Sequence, residues 1–202
     1  VLFRSAGREE PRRVYRTTML QTFARFRDRP FYLHRELFDH AHRSFLREFG
    51  VEPPAGSGEH FYRAQSELGI SRVTLRADAR ETLEALRERG LHLQVVSNID
   101  DDQFEPLFAQ LGLGALFDCT TTSEEARSCK PDPGIFRLAL RKAGGPDPAE
   151  VIFVGDSVPH DVAGAAALGM KTVLLRGSPA AEEPAPDHVI SRLGELLSIV
   201  RP

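Results

Sequence analysis

Three polar clusters each follow an apolar run. Ser97, Asn98 and Asp100 follow residues 92–96. Thr121, Thr122 and Ser123, with Lys130 further on, follow residues 116–120. Gly155, Asp156, Ser157 and Asp161 follow residues 151–154. Together they offer hydroxyls, an amide, an ammonium and carboxylates. A hydroxyl and an amide donate hydrogen bonds to phosphoryl oxygens, and an ammonium neutralises them as a compact point charge. Carboxylates suit Mg2+, a hard ion that takes oxygen ligands. Each residue alone also has a structural reading. Ser97 and Asn98 read as a turn, Lys130 as surface charge, and Asp156 as a turn residue after Gly155. Asp132 reads as the cap of a helix opened by Pro133, and Asp161 as the cap of a helix starting at Val162. Occurrence after successive apolar runs is what favours a common site.

For these groups to meet, the apolar runs must be neighbouring strands. Helix and strand signals alternate from residue 73 onward. Helices are expected over 78–89, 103–111, 133–141, 162–168 and 191–199. Strands are expected over 92–96, 116–120, 151–154, 172–175 and 188–190. Strands that are apolar throughout and lie between helices imply a parallel sheet covered on both faces. Such sheets bind ligands at the carboxyl ends of their strands, where the polar clusters fall. Residues 5–72 differ. Apolar residues recur at helical spacing over 14–26 and 33–49, Gly50 follows as a stop, and a third helix is expected over 59–68. The fold class expected is α/β, a three-layer core with a parallel sheet over 73–202, preceded by a helical domain over 5–72.

Composition narrows the function. Hydrophobic residues make up 41% and charged residues 27%, as in a globular chain, and a net charge of -3 gives no basic excess for nucleic acid or an anionic membrane. No apolar run is long enough to span a bilayer. Cys119 and Cys129 are too few for a disulfide framework or a four-cysteine zinc site, so a reducing, cytoplasmic location is expected. No Gly-x-Gly-x-x-Gly follows a first strand, which disfavours a nucleotide-binding oxidoreductase. The 23 arginines against 3 lysines read as genome bias and make Lys130, Lys142 and Lys171 more noticeable.

The motif order resembles the haloacid dehalogenase-like hydrolase superfamily. Val95, Val96, Ser97 and Asn98 resemble its second motif. Ser123, Glu124 and Glu125, followed by Lys130, Pro131, Asp132 and Pro133, resemble the third. Gly155, Asp156 and Ser157, with Asp161, Gly164 and Gly169, resemble the fourth. The resemblance implies a Rossmann-like core with a helical cap, and phosphoryl transfer to an Asp followed by hydrolysis. It makes Ser97 and Asn98 phosphoryl contacts, Lys130 the charge-offsetting group, and Asp156 and Asp161 the ligands of Mg2+. Gly155, Asp156 and Ser157 resemble the phosphatase version of the fourth motif rather than the Ser-Ser-Asn of dehalogenases. The substrate expected is therefore a small phosphorylated metabolite. Arg25, Arg27, Arg29, Tyr32 and His34 are candidates to face it, or form a solvated helix end.

The first motif, an Asp-x-Asp after the first core strand, does not match. Val1, Leu2 and Phe3 resemble the end of that strand, but Arg4 follows, and the first Asp of the chain is Asp28. With Val1 in place of an initiator Met, the expectation is an N-terminally truncated and inactive form. The alternatives are a degenerate homologue that serves as a binding or scaffold protein, a divergent mechanism, or a dehalogenase-like hydrolase. A guanidinium at the nucleophile position forms no acyl-phosphate. The 202-residue chain is thus expected to hydrolyse an aryl phosphate in Mg2+ no faster than background. Steady-state assay checks this, and turnover that survives repurification but vanishes in Lys130→Ala would overturn it.

Overall fold

Apolar periodicity sets the helices and glycines end them. The structure, a computed structural model, describes residues 9–176 and 183–200. Val1, Leu2, Phe3 and Arg4, with the strand end expected there, lie outside the described residues. The chain divides into two compact units, one up to Arg72 and one from Val73.

The first unit holds α1 (Glu9–Phe26), α2 (His34–Glu48) and α3 (Ser57–Arg72). α2 buries Leu37, Ala41 and Leu46 along one face. Gly50, at φ +67°, supplies the left-handed residue that follows α2. A Cβ on Gly58 would lie 1.8 Å from Asp39 Oδ1, so glycine permits the approach of α3 to α2. Tyr15 joins the three helices, edge-on to Phe45 and Phe61 at 6.0 and 6.1 Å.

The second unit carries the polar clusters. Its elements are α4 (Ala79–Glu88), β1 (Gln94–Ser97), α5 (Asp101–Leu111), β2 (Cys119–Thr122), α6 (Ser123–Ala126), α7 (Pro133–Lys142), β3 (Ile152–Gly155), α8 (Ala163–Ala166), β4 (Lys171–Leu175), β5 (His188–Ile190) and α9 (Leu196–Ile199). All strand pairs are parallel. β1 pairs with β2, and β4 lies between β3 and β5. Among the described residues no strand joins β1 to β3. Side chains of both, Val96 and Phe153, nevertheless pack into one cluster with Ile135, Phe136, Ala165 and Met170 of the α7–α8 layer. Leu86 of α4 and Leu196 of α9 pack against Val173 and Ile190 in a separate cluster. Neighbouring residues of β4 enter different clusters, Val173 that one and Leu174 a third with Val158 and Val162. This is the two-residue alternation of a strand covered on both sides. The expected α/β fold with a helical N-terminal region is observed.

Three of the differences from the expected boundaries have a clear local cause. Gly114–Leu116 is a short 3-10 turn with Leu116 buried, so β2 starts at Cys119 and includes Thr121 and Thr122. The β2 register is pinned just before it, where Asp118 N donates to Leu93 O and Leu93 N donates to Asp118 Oδ2, both at 2.8 Å. The helix expected over 162–168 begins earlier, as a π-helical turn at Val158–Val162 that runs into α8. The last helix starts later than expected, as a 3-10 turn at Leu193–Glu195 that runs into α9, because Glu195 Oε1 accepts from Ser191 N and Arg192 N and caps the turn there.

α7 and α8 meet at Gly164, where a Cβ would lie 2.4 Å from the Phe136 ring and 3.1 Å from Pro131 Cα. Phe136 is fully buried, and Pro131 is backbone, so neither yields freely. Gly164→Ala is expected to destabilise the protein by about 1–3 kcal/mol through overpacking. Urea unfolding checks this, and an unchanged midpoint would show that α8 retreats without cost.

Candidate active site

A polar loop comes after β1 and another after β3, and Lys130 bridges the two strand ends. Its Nζ donates to Val96 O of β1 at 3.0 Å and lies 2.7 Å from Asp161 Oδ1 in the π-helical turn after β3. The two side chains are only 13% and 6% exposed. The ammonium also sits 5.5 Å above the Phe153 ring of β3. In this setting the Coulombic attraction is far stronger than at a surface.

Lys130 is held at its backbone by Asn98. Asn98 Nδ2 donates to Lys130 O at 3.0 Å, and Lys130 N donates to Asn98 Oδ1 at 2.7 Å. Both polar atoms of the amide are therefore used on the Lys130 main chain. The start of α7 fixes the same segment from the other side. Asp132 caps it, accepting from Gly134 N at 2.9 Å, and Ser128 Oγ donates to Asp132 Oδ1 at 2.6 Å while accepting from Ile135 N at 2.9 Å. Asp132 is thus the helix cap its sequence context implied. Ser97 differs: among the described residues no group hydrogen-bonds its hydroxyl at the end of β1.

The loop after β3 is built around Asp161. Its Oδ2 accepts from Asp156 N at 3.1 Å and from Ser157 N at 3.0 Å. Asp161 therefore ties down the loop before it. The reading of Asp161 as cap of a helix starting at Val162 is corrected, because the π-helical turn puts it inside the helical segment, facing back. A Cβ on Gly155 would fall 2.3 Å from the Asp161 carboxyl carbon, so only glycine lets this side chain fold over the strand end. Asp161 Oδ1 is buried and receives no hydrogen bond; the Lys130 contact has ion-pair distance without hydrogen-bond direction. Asp156 is exposed beside it. An all-oxygen donor set of one exposed and one buried carboxylate fits a hard cation such as Mg2+.

Sequence reasoning did not single out a second acidic group. Asp100, Asp102 and Glu124 bring one carboxylate oxygen each within 4.8 Å of one another, a spacing that could hold a metal ion. The signal was the acidic run 100–102 directly after β1, which reads first as the start of a helix.

Three comparisons with known proteins agree on kind. A family model described as haloacid dehalogenase-like hydrolase matches residues 5–169. The chain is 38% identical over 163 residues to glyceraldehyde 3-phosphate phosphatase of Methanopyrus kandleri, covering 77% of this chain and 69% of that protein. It is 30% identical over 164 residues to (S)-2-haloacid dehalogenase 4A of Burkholderia cepacia, covering 80% and 68%. Other curated relatives match over 49% and 59% of their own length, so the chain spans about half the length of those proteins. A solved HAD phosphatase structure from Thermococcus onnurineus superposes with a TM-score of 0.72 at 26% identity, over 98% of this chain and 84% of that one.

The amide clamp on Lys130 has a measurable worth. Asn98→Ala removes two partly buried hydrogen bonds and is expected to cost about 1–3 kcal/mol. Asn98→Asp keeps the acceptor for Lys130 N but not the donor to Lys130 O, and should fall between the two. Chemical unfolding of the three proteins checks the order; equal stability of wild type and Asn98→Ala would remove the clamp.

Proposed function

The chain belongs to the haloacid dehalogenase-like hydrolases, and on that premise we propose that it is the phosphate-binding part of a Mg2+-dependent phosphatase of a small phosphorylated metabolite. Residues 73–202 act as the α/β core, and residues 5–72 as the helical cap that selects the substrate. The observation that carries this reading is the Lys130 ammonium, buried and held between the end of β1 and Asp161.

Lys130 offsets charge on phosphoryl oxygens, as a point charge requires no fixed direction of approach. Ser97, whose hydroxyl has no hydrogen-bond partner among the described residues, donates to the transferring phosphoryl group. Asn98 contributes through its backbone, its side chain being spent on holding Lys130 in place. Asp156 and Asp161 would hold Mg2+ through their carboxylates. When bound, Mg2+ supplies further neutralisation of the phosphoryl oxygens and of the carboxylates around them. Catalysis of this kind rests on positioning and electrostatics. The acid that would accept the phosphoryl group has no counterpart among the five residues placed here. Asp156 is what separates this reading from a dehalogenase, which displaces halide and needs no metal.

The reading is tested by binding rather than turnover. Inorganic phosphate is titrated into the 202-residue chain, followed by phosphorus NMR with and without Mg2+. Lys130→Met is expected to weaken binding about 10-fold or more, the usual worth of a desolvated charge contact. Asp156→Asn is expected to remove the enhancement by Mg2+ alone. Phosphate binding that ignores Lys130, or a metal-independent site that takes chloropropionate instead, would overturn it.

A further inference from the structure

The amino ends of β1 and β2 hold a second group of reactive side chains, at the opposite end of these strands from Ser97. Cys119 opens β2 and pairs with Gln94 of β1. Its Sγ lies 3.5 Å from His92 Nε2. On the other side of the ring, His92 Nδ1 faces Asp118 Oδ2 at 3.7 Å. Asp118 is itself fixed: Oδ2 accepts from Leu93 N at 2.8 Å and Oδ1 accepts from Arg87 Nη1 at 3.2 Å. The Leu93 amide first, then Arg87, hold its carboxyl below the usual range, against some desolvation. Thiol, imidazole and carboxylate thus stand in line, in the order nucleophile, base and orienting group.

Chemistry follows from the order. An ionised carboxylate beside Nδ1 favours the proton on that nitrogen and leaves the Nε2 lone pair facing sulfur. Burial pushes the Cys119 thiol up, and Asp118 and Glu125 add to this while Lys142 opposes it. At neutral pH the sulfur therefore keeps its proton and needs a base when it reacts. His92 is 43% exposed and Cys119 partly so, which leaves a small reagent a route in. Cys129, at 3% exposure, has none. A soft-metal site is less well supported, because the carboxylate faces the far nitrogen of the ring and does not join sulfur and Nε2 around one point.

We propose that Cys119 is a nucleophilic thiol, with His92 as its base and Asp118 as a positioning residue, that undergoes exchange with small disulfides. The thiol proton passes to His92 Nε2 as Sγ bonds to one sulfur of the disulfide. The original sulfur–sulfur bond breaks, and the departing thiolate takes the proton from the imidazolium. The product is a mixed disulfide on Cys119 and one free small thiol, with the reagent disulfide as the only oxidant.

The test uses the native chain and two probes, dithiobis(nitrobenzoate) and oxidised glutathione, with peptide mass spectrometry to place the label. One fast thiol is expected, at Cys119, with Cys129 silent until the protein is unfolded. At neutral pH labelling should outrun what the thiol's own ionisation allows, since burial, Asp118 and Glu125 suppress that ionisation while Lys142 opposes them. His92→Gln should slow labelling at neutral pH about 10-fold or more, and the difference should close at alkaline pH, where the thiol ionises without a base. Asp118→Asn should slow labelling at neutral pH by less than His92→Gln does, with the difference again closing at alkaline pH. Circular dichroism confirms that the variants fold. Labelling of Cys129 first, or a His92→Gln rate equal to that of wild type at neutral pH, would overturn the proposal.

Discussion

A buried ammonium must be answered by negative charge or by oriented carbonyls. Lys130 has both, in Val96 O and Asp161 Oδ1. Removing a partner of such a pair leaves an uncompensated charge out of water, which costs far more than the pair gains as a whole. The rest of the site follows from that requirement. Asp161 must reach back over Gly155 to meet the lysine, so residue 155 has no room for a Cβ. The π-helical turn supplies the reach. Asn98 and the start of α7 hold the lysine backbone so that the four-carbon stem spans from one strand end to the next.

The core transmits this arrangement to the helices. Gly164 admits the Phe136 ring, Phe136 packs edge-on against Phe153 at 5.1 Å, and Phe153 presents its face to Lys130. Van der Waals contact at one end of this row fixes an electrostatic contact at the other. Close packing makes such rows stiff, so a displacement in the α8 layer is felt at the ammonium. The fourth-motif glycines thus serve two purposes, one beside the carboxylate and one beneath the ring.

Local chemistry was the most legible part of the sequence. Asp132 and Pro133 announce a helix start by their own side chains, and the structure puts the helix there. The order of elements in the second unit was legible from apolar runs. Where two local signals compete, legibility fails. Leu116 and Phe117 read as strand because they are apolar, but Leu116 is buried from a 3-10 turn. Asp161 precedes a helical stretch and reads as its cap, yet the amides it accepts from lie upstream. Contacts set by strand register were not legible at all. Lys130 finds Val96 34 residues back, and Cys119 finds His92 across 27, through the parallel pairing of β1 with β2. The grouping of Ser97, Asn98, Lys130, Asp156 and Asp161 came from their places after successive apolar runs, whereas the roles given to them came from resemblance and stand as proposals.

The scarcity of lysine has a practical side. Of the three, Lys130 is enclosed and ion-paired, and Lys142 is held by both carboxylate oxygens of Glu125 and by Thr120 O. Lys171, at the exposed start of β4, is the one side-chain amine among the described residues that stands open. Among the described side chains, amine-directed tagging would therefore favour this address. A dye or surface tether placed there would sit at the amino end of β4, at the end of the sheet away from Asp156.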